Sequence, residues 1–197
     1  QNGKNLITLD GTNDRLFNSS AAVAGDDFTA FVVFNRTTAA GRDAVFEIGS
    51  GASRNGLYVG NVVGKESYFL NSTFYDFSGG YTAGTFTITS LMQDITAITA
   101  YKDGVGQVSA TGAVRAGTTG LYIGDDSTSG DQLQGNIAEM IVYNRDLTTE
   151  EIHDVENYLA TKWGLSVANT APYVDVNNPL TLPQGTGIVV SSLYLGA

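Results

Sequence analysis

Between residues 28 and 143 the chain is cut into short runs of apolar and β-branched residues by Gly, Asn, Asp and Ser. This punctuation restricts the fold more than any other feature. The runs are Phe28–Phe34, Ala44–Ile48, Gly56–Val59, Ser67–Leu70, Thr85–Ile88, Ile95–Tyr101, Leu121–Ile123 and Ile137–Tyr143. Each is too short for a stable helix and is bounded by turn formers, as strands are. Asp103-Gly104 marks a tight hairpin, because both residues tolerate the positive φ that a two-residue turn demands. The pattern predicts an all-β protein of two antiparallel sheets packed face to face, with Phe31, Val33, Phe46, Ile98, Ile123 and Ile141 inside.

After Tyr143 the period changes. Ile152, Val155, Leu159 and Trp163 recur every three or four residues, which predicts one amphipathic helix over about 148–163. Thr148 and Glu151 have capping-box spacing, Lys162 lies in the last turn, and Gly164 is placed for a left-handed cap. The helix is expected to lie on the sandwich, so Ile152, Val155 and Trp163 join the buried set. His153, the single histidine, is expected on its solvated flank with no catalytic role.

Charged residues make up 15% of the 197, against roughly 25% in an average soluble domain. Gly, Ser, Thr and Asn take their place, as in proteins of an exterior surface or an assembly. The net charge of −10 argues against nucleic acid, which needs a basic face. No run is long and apolar enough to span a membrane, and no signal peptide is visible. The start at Gln1 reads as a processed or excised end. With no cysteine, neither a disulfide nor a thiolate zinc site can form.

Several segments taken in order resemble a known family. They are Leu9-Asp10-Gly11-Thr12-Asn13-Asp14, Phe28 to Phe34, Tyr101-Lys102-Asp103-Gly104-Val105, Leu121-Tyr122-Ile123-Gly124, and Gly135 to Leu147 followed by the helix and Lys162-Trp163-Gly164-Leu165. Together they are similar to concanavalin A-like, laminin-G-like or pentraxin-like jelly rolls of bacterial and phage surface proteins. The resemblance covers about residues 5–165 and implies a jelly-roll sandwich domain over 1–165. The Trp-His pair that often precedes the hairpin strand in that family is missing from Thr87 to Thr99. Residues 166–197 have no counterpart and read as an extended tail holding Pro172, Pro179 and Pro183.

Three groups of residues are candidates for function. Asp125, Asp126 and Asp131 share one Gly/Ser-rich loop; they can ligate Ca²⁺, a hard cation that takes oxygen donors, or simply form turns. Asp10, Asn13 and Asp14 pose the same choice. Tyr75, Phe77 and Tyr81 cluster around Gly79-Gly80 and either form an aromatic platform for a sugar or cover a sandwich edge. Ile188, Val189, Val190, Leu193, Tyr194 and Leu195 give the tail an apolar stripe suited to pairing with a sheet edge of this chain or of another subunit. Catalysis is not expected: the Glu-x-Asp-x-Glu strand of the glucanases with this fold is absent, and Glu139 is expected to pair with Arg145. These readings give a non-catalytic binding or structural module of an exterior assembly (a virion decoration or fibre, or an adhesin). The alternative is a Ca²⁺-dependent, lectin-like domain.

Overall fold

The computed structural model describes residues 1–23, 27–38, 40–50, 53–111, 118–128, 130–169 and 187–190. In chain order its strands are β1 (Ile7–Asp10), β2 (Leu16–Val23), β3 (Phe28–Arg36), β4 (Asp43–Ser50), β5 (Ser53–Val59), β6 (Lys65–Leu70), β7 (Thr73–Gly80), β8 (Thr87–Gln93), β9 (Ala97–Lys102), β10 (Val105–Thr111), β11 (Thr118–Ile123), β12 (Gln134–Tyr143) and β13 (Gly187–Val190). The helix α1 (Thr149–Trp163) follows β12. Sheet I runs β1-β12-β3-β8-β9-β10, with β13 also paired to β12; sheet II runs β2-β11-β4-β5-β6-β7. The chain crosses between the sheets from β1 to β4, makes the meanders β4–β7 and β8–β10, then crosses back through β11 to β12. This is the expected jelly-roll sandwich.

Strand β3 shows why its sequence is apolar without alternation: all nine residues are buried. Phe28, Ala30, Val32 and Phe34 face sheet II and join Phe46, Ile48, Leu57, Tyr68 and Leu121 in the central core. Phe31 and Val33 point the other way, into a second cluster with Ile88, Ile141, Ile152, Val155, Leu159 and Trp163. Sheet I is thus sandwiched between sheet II and α1. All nine residues expected to be buried are buried, each worth roughly 1.5–3 kcal/mol.

The helix begins and ends where its caps require. Thr148 accepts from the Glu151 amide while Glu151 accepts from the Thr148 amide, closing the capping box. Gly164 takes φ 65°, a left-handed conformation that costs glycine little.

One strand is added and two local expectations are corrected. The segment 73–80, which has no clean period, is strand β7, the edge of sheet II. The strand expected at Thr85–Ile88 starts later and runs through Gln93. Glu139 does not pair with Arg145. A bulge between Ile137 and Glu139 changes which face each residue takes, so Ile137 faces the central core while Glu139 faces α1. There it accepts from Lys162 Nζ at 2.8 Å and Trp163 Nε1 at 2.7 Å. Arg145 instead bonds both carboxylate oxygens of Glu151, at 2.7 and 3.0 Å.

Past the helix, residues 165–169 fold back. Leu165 N donates to Ala160 O, Ala168 N donates to Asp103 O, and Asn169 Nδ2 donates to Glu156. Gly187–Val190 then pairs antiparallel with Tyr143–Met140, on the same side of β12 that β1 occupies at Ile137–Gln134. Leu193, Tyr194, Leu195 and the three prolines lie outside the described residues.

Candidate functional site

Cross-strand partners share a sheet face. The registers of sheet II therefore place Phe17, Tyr122, Glu47, Gly56, Phe69 and Phe74 in one row across all six strands. This row lies on the face turned away from the core, because the neighbouring Leu121, Ile123, Ile48 and Leu57 fill the inside. Among the described residues no helix covers this face. Gly56 has to be glycine, since a Cβ there would stand 2.3 Å from the Phe46 carbonyl oxygen.

One end of the row is closed and the other is open. Tyr58, Phe69 and Phe74 pack together with ring centroids 4.7 to 5.3 Å apart, roofed by Arg54, 4.9 Å above Phe69, and Arg42, 5.3 Å above Phe74. At the opposite edge Phe17 stacks beside Tyr122, centroids 4.5 Å apart and planes 29° apart. Phe17 stays 49% exposed. The Arg15 guanidinium carbon lies 6.0 Å from each of these two rings.

The acidic loop covers the middle. Leu133 N donates to Gly124 O, closing its base, and Ala44 N donates to Asp131 O. Each of its aspartates meets an arginine: Asp125 with Arg15 at 3.6 Å, Asp126 with Arg54 at 3.4 Å, and Asp131 with Arg42 at 2.7 Å. Beneath them Glu47, fully buried, accepts from Tyr58 Oη, pairs with Arg54 at 3.3 Å and accepts from Ser127 N at 2.9 Å. Burial pushes the Asp126 carboxyl up, but hydrogen bonds from Thr128 and Gly130 together with Arg54 outweigh it and hold it below the ordinary carboxylate value. Burial, with Glu47 alongside, holds the Tyr58 phenol protonated. Among the described residues no group of three or more His, Cys, Asp or Glu is placed to hold a metal. Asp10 and Asp14 bond turn amides, those of Thr12 and Asp10 respectively.

The aromatic trio expected near Gly79-Gly80 is elsewhere in the architecture. Phe77 is 1% exposed within the central core, and Tyr75 and Tyr81 pack against that core. Tyr75 and Phe77 lie on the edge strand β7, whose inward face closes the sandwich beside β10, and Tyr81 follows it directly, so the three do not offer an exposed platform. Tyr81 Oη accepts from Arg36 Nη1 at 2.7 Å; the guanidinium of Arg36, wholly buried, also binds Asp43, Ala40 O and Gly41 O. His153 is half-buried, its ring edge-on to Tyr101 at 5.9 Å. The sequence reading missed the Phe17–Tyr122 pair. Its signal was the alternation in Leu16-Phe17 and Leu121-Tyr122-Ile123, which sends the aromatic residue opposite to its aliphatic neighbours.

Three comparisons place this geometry. A pentraxin of the SAP type from Limulus polyphemus is 14% identical, with a TM-score of 0.60 over 76% of this chain and 80% of that one. The CBM40 module of a Ruminococcus gnavus IT-sialidase, solved with α2,3-sialyllactose, is 18% identical, with a TM-score of 0.57 over 68% and 84%. Domain 4 of a GH43 extracellular arabinanase from Geobacillus stearothermophilus, solved with arabinotriose, is 13% identical, with a TM-score of 0.59 over 76% and 87%. At such identities the likeness is one of fold. No curated protein matches the sequence. The family model described as the concanavalin A-like lectin/glucanases superfamily matches residues 10–153, most of the sandwich. The chain belongs to that superfamily.

Proposed function

We propose that this chain is a non-catalytic carbohydrate-binding module acting on an exterior surface, extracellular or cell-bound, that stacks a sugar ring on Phe17 and Tyr122. The observation that carries the reading is the stacked pair of an exposed Phe17 and a half-buried Tyr122, with Arg15 beside it, on the outer face of sheet II. The apolar C–H face of a sugar ring suits an aromatic face, and a guanidinium supplies several hydrogen-bond donors in a fixed plane. Two fold neighbours were solved with bound oligosaccharides, which supports a sugar as the class of ligand. The carboxylates of this face are engaged by arginines rather than aimed at solvent as an acid and nucleophile pair, which supports binding without hydrolysis. The reading requires no Ca²⁺.

The test is a glycan array and titration calorimetry with the wild type, Phe17→Ala and Tyr122→Ala. A sugar ligand should emerge, with affinity lowered about tenfold or more in either variant and an unchanged melting temperature. Binding that survives both substitutions would refute the site.

A second reading makes the chain a subunit of an exterior assembly, such as a virion decoration, fibre or surface filament. It is supported by β13, which pairs with an edge of β12 that an identical strand of another copy would fit equally well. Strand addition of this kind is a common mode of protein association.

A further inference from the structure

We infer that the glycan taken up on the Phe17–Tyr122 surface is neutral, without carboxylate or sulfate groups. The inference rests on the reading of that surface as a sugar platform and names the chemical class of its ligand. Arginines next to aromatic rings would ordinarily suggest an acidic sugar, because a guanidinium fork matches a carboxylate. Here each guanidinium already has a carboxylate partner. Arg15 pairs with Asp125, Arg42 with Asp131, and Arg54 with both Asp126 and Glu47. This face therefore brings together three cations and four carboxylates, in a chain whose net charge is −10.

Asp125, Asp126 and Glu47 are almost wholly buried. An anionic sugar that drew Arg15 or Arg54 away from its partner would leave one of these carboxylates buried beside a second negative charge, a strongly unfavourable exchange. The hydrogen bonds that keep Asp126 ionised also rule out relief by its protonation at ordinary pH. The field of an acidic protein repels an anion at longer range as well. A neutral sugar meets none of these costs. Its ring stacks on Phe17, and its hydroxyls approach Arg15, whose side chain is 39% exposed, with the pair to Asp125 in place.

The test is a glycan array followed by calorimetry on a matched pair, lactose and α2,3-sialyllactose, with arabinotriose as a second neutral probe. The expected result is array hits confined to neutral glycans, no gain for sialyllactose over lactose, and affinities unchanged from about 50 mM to about 500 mM NaCl. These hits should weaken at least tenfold in Phe17→Ala, and Arg15→Gln should weaken them with no change in salt dependence. Array hits confined to acidic glycans, salt-sensitive and lost in Phe17→Ala, would overturn the neutral assignment and leave the platform standing. No glycan binding at all, or binding indifferent to Phe17 and Arg15, would overturn both.

Discussion

Four glutamates are buried with almost no exposure, and the contrast among them is chemical. Glu47, Glu66 and Glu139 each have a cation: Arg54, Lys102 and Lys162. Glu156 has none. It accepts from Ser90 Oγ at 2.7 Å on β8 and from Asn169 Nδ2 at 2.9 Å, and Asp103 on the neighbouring hairpin adds a like charge. Burial pushes its carboxyl up to about 7, against the two hydrogen bonds. A folded-state value above the ordinary 4.5 means the folded protein holds a proton that the unfolded chain has lost. This group's contribution is therefore most favourable below about pH 4.5 and is lost as pH rises through about 7. At about 1.4 kcal/mol per pH unit the loss is on the order of 3 kcal/mol at pH 8. Glu156→Gln should abolish it, since an amide accepts from Ser90 and can donate to Asn169 Oδ1, which is buried without a partner. The expected outcome is a variant equal to wild type near pH 4 and more stable by about 2–3 kcal/mol at pH 8. Urea unfolding at both values measures it; a constant difference between the two proteins across pH would contradict the assignment.

At the scale of elements, what was legible in the sequence is what depends on local periodicity. Helix α1 shows both its period and its caps, because the Thr148–Glu151 box and Gly164 act within one turn of the chain. Thr148→Ala should accordingly cost about 1 kcal/mol in denaturant unfolding, with the helix retained by its packing on Phe31 and Ile141; no measurable cost would mean that Arg145 holds Glu151 in place without the cap. Strand β7 was not legible, since Phe74, Tyr75 and Phe77 fall on both faces of an edge strand and blur the alternation. The role of Glu139 was hidden by a bulge, which changes the facing of every later residue in β12 and leaves no mark in composition. The acidic loop was legible as a cluster but not as chemistry, because Arg15 and Arg42, just before β2 and β4, and Arg54 on β5 reach it across a large sequence separation. With each aspartate engaged by an arginine, millimolar Ca²⁺ should leave the melting temperature equal to that in chelator. A cation that bound only the folded state would raise it by mass action, and such a rise would return the loop to the metal-binding reading.

For the whole molecule the open question is how β13 closes the edge of sheet I. Strand β12 has two partners on that side in succession: β1 along Gln134–Ile137 and β13 along Met140–Tyr143. The 17 residues 170–186 lie between the folded-back segment and β13, and at roughly 3.3 Å per extended residue that length can reach a neighbouring copy as well as its own sheet. Among the residues whose burial is described, the two clusters that bury Phe31, Phe46, Ile152 and Trp163 draw on β1 to β12 and α1. Deleting residues 172–197 should therefore leave a folded protein whose melting temperature falls by only a few degrees, since about 1 kcal/mol corresponds to roughly 2–4 °C in a domain of this size. The full chain, if the strand is exchanged, should form dimers or larger species in light scattering as concentration rises, and the truncated chain should stay monomeric throughout. Full-length protein that remains a monomer at every concentration would make β13 an internal closure and remove the support for an assembly. Association that persists after truncation would move the interface to another surface, for which the open Phe17–Tyr122 end of sheet II is the first place to look.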